Sequence, residues 1–338
     1  MSHQIEHSRG AIGSRDAVIP AVLTPSDGFE GYDAAREGVV VYPRGPRGVL
    51  VIGGSDAAAF LHGILTNDIQ KLAPGEGCYA AYLTPQGRMV SDMDVHRRTG
   101  DLLLDVEPVV SQRLVERLDG SIFAEDVTIT DRSADVASIG VYGPRASAIL
   151  AEVGAPPPQS GELTVLATDR AGVDGFHAFS TPETVARLAE ALTDRGAAKL
   201  GAQAAESLRI EAGIPRFGTD MTEDTIPLEA GIEARAISMT KGCYIGQEVI
   251  VRILHRGHGR VARKLVALQV EGETMPPAGS RLSSGEKDAG HVTSAARSPR
   301  FGVIALGYVH RDLIEPGTTL RLGDEGRAAL VVRVPMQG

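Results

Sequence analysis

One order of elements occurs twice in succession: strand, turn, helix, strand pair, helix. It constrains the fold more than any single motif. In the first copy, "GVVVYPRGPRGVLVIGG" (38–54) reads as two short strands around a Pro/Gly turn. "SDAAAFLHGILTND" follows as a helix, with Ser55 at its N-cap and Ala59, Leu61 and Ile64 or Leu65 in an apolar stripe. "CYAAYLTPQGRMVSDMDVHRR" (78–98) reads as two strands joined at Thr84–Gly87, "DLLLDVEP" as another strand, and "VVSQRLVERLDG" as a helix ending at Gly120. In the second copy, "SIGVYGPRASAILAEVG" (138–154) is strand, turn and helix, and "LTVLATDRAGVDGFHAFS" (163–180) is a strand pair. "TPETVARLAEALTDRG" then starts a helix at Thr181 and Pro182 and stops it at Gly196. The repeat predicts an α+β fold: two sheets, each with helices on one face.

From about residue 260 the texture changes. "RVARKLVALQVEG", "DAGHVTSAA", "GVIALGYVH" and "TTLRLG" are short strands at regular spacing, the signature of a small β-barrel. The expected division is a polar, flexible arm over 1–34, an α+β region over 35–258 and the barrel over 259–338. The α+β region would hold two related units, about 35–135 and 136–258.

Composition narrows the function. Aromatic residues make up 4% of the chain and Trp is absent, so a surface that stacks many bases is disfavoured. The net charge of −9 speaks against a whole-surface attraction to nucleic acid or anionic membrane, and no direct nucleic-acid partner is expected. No apolar run is long enough to span a bilayer, and the first residues lack the apolar core of a secretory signal. Two distant cysteines, Cys78 and Cys243, make no disulfide framework, so a reducing, cytoplasmic setting is expected.

The residues that can carry chemistry are few. Cys243 sits in "TKGCYIGQE" (240–248), two residues after Lys241 and ahead of an expected helix, "QEVIVRIL". A thiol near a helix N-terminus and a lysine can act as a nucleophile or soft ligand; a small core residue is the plainer alternative. Asp92 and Asp94 share one side of a strand, as a carboxylate pair or as an exposed edge. Glu211 lies between Ile210 and Ala212, either exposed or buried with a donor. His255 and His258 lack a third ligand at metal spacing, and "RILHRGHGRVARK" (252–264) is a basic run, either a solvated face or a seat for an anionic tail.

Four stretches together, "FLHGILTNDI", "YLTPQGRMVSDMDV", "ESLRIEAGIPRFGTDMTEDTIPLEAGI" and "KGCYIGQEV", resemble the YgfZ family of folate-binding proteins. These are relatives of the glycine-cleavage T-protein (aminomethyltransferase), and the resemblance runs over roughly 35 to 335. It implies a three-lobed ring with tetrahydrofolate in the central opening. It implies that Glu211 binds the pterin, that Asp92 lies near the reacting nitrogen, that Glu107 stands near a pterin contact, and that Cys243 with Lys241 is functional. It further implies a role in iron–sulfur cluster assembly or repair, with client or assembly proteins as partners and tRNA modification at one remove. The alternative is a tetrahydrofolate-dependent one-carbon enzyme, an aminomethyltransferase or demethylase. Against transfer stands Ser91–Asp92, where T-proteins have paired aspartates.

Overall fold

The computed structural model describes residues 26–155, 162–257 and 259–336. Helix α1 (Ala34–Glu37) leads into strands β1 (Val40–Pro43) and β2 (Gly48–Gly53), then α2 (Ala57–Ile64). Strands β3 (Gly77–Leu83), β4 (Met89–Arg97) and β5 (Leu102–Val106) follow, then α3 (Ser111–Asp119) and β6 (Thr128–Asp131). The second half runs β7 (Ala137–Tyr142), α4 (Ala146–Glu152), β8 (Thr164–Thr168), β9 (Gly175–Ser180), α5 (Pro182–Asp194) and β10 (Ala198–Lys199). Four helices connect it to the barrel: α6 (Ala202–Glu211), α7 (Pro227–Ala230), α8 (Glu233–Ala236) and α9 (Gln247–His255).

The expected α+β class and the barrel are both present. One five-stranded sheet has the order β3-β4-β5-β2-β6 and the other β10-β1-β7-β9-β8. Strands β11 (Arg263–Val270), β12 (Arg281–Ser284), β13 (Lys287–Ser298), β14 (Gly302–His310), β15 (Thr319–Leu322) and β16 (Arg327–Val332) close a six-stranded barrel. Central strands are covered on both faces: all five residues of β5, Asp105 among them, are buried. Helix α5 begins as its sequence demands. Thr181 Oγ1 accepts from the Thr184 N–H, and Pro182 occupies the first turn, where no N–H is needed.

Two features differ from the sequence reading. The stretch 38–54 is not one local strand pair: β2 pairs with β5 and β6, whereas β1 crosses to the second sheet, between β7 and β10. The first sheet is therefore built from the consecutive strands β2 to β6, the second takes β1 from outside its contiguous unit β7 to β10, and the Pro/Gly turn 44–47 becomes a bridge between sheets. The second feature is the arm. Its first 25 residues lie outside the described region, but Tyr32 is buried against Ala35, Leu200 and Leu208. No helix among the described residues is long and apolar enough to cross a membrane.

Candidate functional site

The crossing of β1 between sheets sets the site. The 44–47 turn, strands β4, β5, β7 and β9, and helix α6 surround a cavity of about 400 Å³. Its wall carries Arg44, Arg47, Arg170, Arg209 and Arg216 against Asp92, Asp94, Asp105, Glu107 and Glu206. Five cations face five anions, and most are committed to one another. Arg44 Nη2 donates to Asp105 Oδ2 at 2.6 Å and Arg47 Nε to Oδ1 at 2.7 Å. Burial alone would raise the Asp105 carboxyl, but these two guanidiniums hold it well below the usual carboxylate range. Arg47 also donates to Glu107 Oε1 at 2.5 Å, leaving Oε2 without a donor among the described residues. Asp92 Oδ2 accepts from Tyr79 Oη and Arg170 Nη2, both at 2.8 Å, while its Oδ1 takes no donor among the described residues. The Arg170 guanidinium also lies 3.9 Å from the centre of the Tyr79 ring, which fixes the orientation of the carboxylate.

Asp94 has no hydrogen-bond or ion-pair partner among the described residues. It alternates with Asp92 along β4, so both sit on the inner face, as the strand period required. Burial raises its carboxyl to about 6; Arg170 opposes the rise and Asp105 adds to it. The folded value exceeds the ordinary one near 4, so the carboxyl contributes stability below about pH 4 that is lost as pH rises through about 6. Buried His96 (lowered to about 4) and His177 (lowered to about 3) have the opposite sign. A difference between variants separates the two. The stability of Asp94→Asn relative to wild type is expected to increase from about pH 4 to about pH 7, read as urea midpoints. A pH-independent difference would show that Asp94 titrates as an ordinary surface carboxylate.

Tyr142, His177 and Asp105 form a chain on the wall. Tyr142 Oη is 3.1 Å from His177 Nε2, and His177 Nδ1 is 3.6 Å from Asp105 Oδ2. Asp105, Arg44, Arg47, Arg170, His177 and Glu206 were not singled out from the sequence. Two of them carried a readable signal: an acid inside "LLLDV" and a histidine inside "GFHAFS" are polar interruptions of buried strands. The arginines gave none, because a Pro/Gly turn also explains "PRGPRG".

The other expected site residues fall elsewhere. Glu211 does not line the cavity. Its carboxylate accepts from Tyr32 Oη at 2.6 Å and pairs with Arg36, on a different side of α6 from Glu206. Five residues separate the two on the helix, which turns them about 140° apart. The Lys241 ammonium is engaged by backbone carbonyls rather than by Cys243. It donates to the carbonyls of His62, Leu65 (2.5 Å) and Asn67 (3.2 Å), at the end of α2 and in the segment after it. Burial pushes it down to about 8, so it stays largely protonated at neutral pH. Cys243 is exposed and lines neither this cavity nor the second one described below. It precedes α9 by four residues, beyond the reach of a first-turn helix dipole. Gly246 (φ +83°) ends that loop against the β3–β4 hairpin, where a Cβ would meet the Thr84 carbonyl at 2.5 Å. Of the histidine pair, His255 ends α9 and His258 lies outside the described residues.

Two family models match the chain. The GCVT N-terminal domain covers residues 30–179 and the glycine cleavage T-protein C-terminal barrel domain covers 263–336. An aminomethyltransferase of Rippkaea orientalis is 30% identical over 328 residues, spanning 90% of this chain and 88% of that protein. One from Bacillus pumilus is 30% identical over 313 residues, 87% of this chain and 85% of its own. Among solved structures, aminomethyltransferase T of the glycine cleavage system from Bartonella henselae superposes with a TM-score of 0.81 at 24% identity, covering 90% of this chain and 88% of that one. That likeness bears on the fold.

Proposed function

The chain belongs to the glycine-cleavage T-protein (aminomethyltransferase) family, and from that premise we propose that it binds a reduced folate in the cavity between its two sheets and acts on the one-carbon unit the folate carries. The observation that carries this reading is the pattern of committed and uncommitted polar atoms on the cavity wall. Glu107 Oε2 and Asp92 Oδ1 are acceptors without donors among the described residues, and a pterin edge offers adjacent N–H groups of the kind a carboxylate takes. Arg216, 42% exposed in its side chain, is placed to meet an anionic tail. A cavity of about 400 Å³ is within the range of cofactor sites.

When bound, tetrahydrofolate supplies the nitrogen that carries the one-carbon unit. The chain's own residues bind, orient and hold protons. Tyr79 and Arg170 fix Asp92 in one rotamer, so its free oxygen is preorganised as an acceptor. Asp94, with a carboxyl near 6, holds or releases a proton close to neutral pH on the same strand. Calorimetric titration with tetrahydrofolate tests the reading. Saturable binding is expected, weakened about tenfold in Glu107→Ala, which removes one charge-assisted contact. No binding by the wild-type protein would overturn it.

A second reading draws on Cys243. Its thiol is exposed on a loop anchored by Lys241, open to a partner. In this reading the protein supports assembly or repair of iron–sulfur clusters in client proteins. Two cysteines fall short of the four thiolates a cluster takes, so a partner supplies the rest. Loss of client cluster occupancy in Cys243→Ser, with folate binding intact, supports this second reading; unchanged occupancy removes it.

A further inference from the structure

A second cavity, of about 600 Å³, opens further along the same face of β4. Asp94 is the only residue that lines both. The second cavity lies between the edge of the first sheet at β3 and the β8–β9 end of the second, closed by the turn before α4. Its charge differs from that of the first. Asp94, Asp169 and Asp174 line it, with no lysine or arginine. Asp169 is paired with Arg235; Asp94 and Asp174 have no partner among the described residues.

His96 gives an independent indication. It is 3% exposed, lines this cavity, and neither ring nitrogen has a hydrogen-bond partner. A neutral imidazole has one donor and one acceptor nitrogen, and leaving both unpaired in a buried site is unfavourable. Gly77 stands over the ring: a Cβ there would come within 2.6 Å of His96 Nδ1, so only a glycine leaves room for the imidazole. A half-buried carboxylate with no ion-pair partner among the described residues and a buried imidazole with none are a combination that folded proteins rarely leave unfilled.

We propose that this cavity is a binding site for a small organic ammonium ion, with Asp94 as its counter-ion, His96 as an uncharged acceptor for one of its N–H groups, and Asp174 drawing it in at the rim. An ammonium suits the site better than a guanidinium, because a compact charge with tetrahedral donors can reach one carboxylate and one imidazole. The Phe176 ring, also on the wall, fits the alkyl part. An anion is excluded by the three carboxylates. The proposal stands apart from the folate reading, since none of its contacts needs a ligand in the first cavity.

The test is titration of the full-length protein with n-butylammonium chloride and with n-butanol, its neutral counterpart, without folate. Saturable binding of the ammonium is expected, with none of the alcohol over the same range. Affinity should fall at least tenfold in Asp94→Asn and about threefold in Asp174→Asn, which alters only an exposed rim residue. The ¹⁵N resonances of the His96 ring should shift on titration, which a purely structural histidine would not show. Equal binding of the alcohol, no binding of the ammonium, or binding unchanged by both substitutions would each overturn the proposal. Folate titration of the same samples reports separately on the first cavity.

Discussion

Replacing Lys241 by alanine is expected to destabilise the protein by about 3 kcal/mol, whereas Cys243→Ser should change stability by less than about 0.5 kcal/mol. The two residues are neighbours in one motif, but their surroundings differ. Lys241 is 8% exposed and its ammonium joins three carbonyls, of His62, Leu65 and Asn67. Those carbonyls end α2 or follow it, where intrahelical partners run out. Truncation removes three charge-assisted bonds at once and leaves the acceptors under the 238–246 loop. Methionine in place of alanine restores volume but no donor, so Lys241→Met should recover less than half of the loss. The Cys243 side chain is exposed and loses no packing on substitution. Urea unfolding of the three variants decides the matter. A Lys241→Ala protein as stable as wild type would mean that water replaces the ammonium without cost, and Lys241 would again be a candidate partner for the thiol.

That contrast shows what the sequence could and could not convey. The spacing of "KGCYIGQE" places a lysine two residues from a cysteine, which suggests a lysine-activated thiol. Only tertiary structure reveals that the ammonium reaches back about 175 residues to α2. The same limit applies throughout. Elements whose signals are local were legible: the capped α5, the β8–β9 pair, the spaced strands of the barrel. So was the shared face of Asp92 and Asp94, since strand alternation needs no partner to define it. The crossing of β1 into the second sheet was not legible, because a Pro/Gly turn between two apolar runs looks the same whether or not the runs pair. The cavity's arginines followed from that crossing, and they were missed with it. Family resemblance pointed correctly to the fold; of the α6 carboxylates, Glu206 lines the cavity and Glu211, which the resemblance singled out, faces Tyr32 and Arg36.

Glu211→Ala should therefore lower stability by about 3 kcal/mol while leaving tetrahydrofolate affinity within about threefold of wild type. Glu211 is 3% exposed and joins three parts of the chain. Tyr32 comes from the segment before α1, Arg36 from α1 itself, and the Tyr32 hydroxyl also lies 3.4 Å from Ser298 Oγ at the end of barrel strand β13. Burial and the bond to Glu211 push the Tyr32 hydroxyl up to about 12, so it stays a donor at all working pH values. Without the carboxylate, the Arg36 guanidinium loses its counter-ion beside an Nη1 already buried without a partner. A half-buried cation left this way is costly, whereas the pair itself, when intact, contributes modestly. Glu206, one and a half turns earlier, is the α6 carboxylate on the cavity wall, held by Arg209 and Arg216. Its replacement by glutamine frees Arg216 and should alter folate affinity without the larger loss of stability. Measured together by calorimetry and urea unfolding, the two variants separate a joint between lobes from a wall of the binding site. If Glu211→Ala abolished folate binding while the protein stayed folded, the ligand would have to lie on the Tyr32 side of α6, and the cavity between the sheets would lose its assignment.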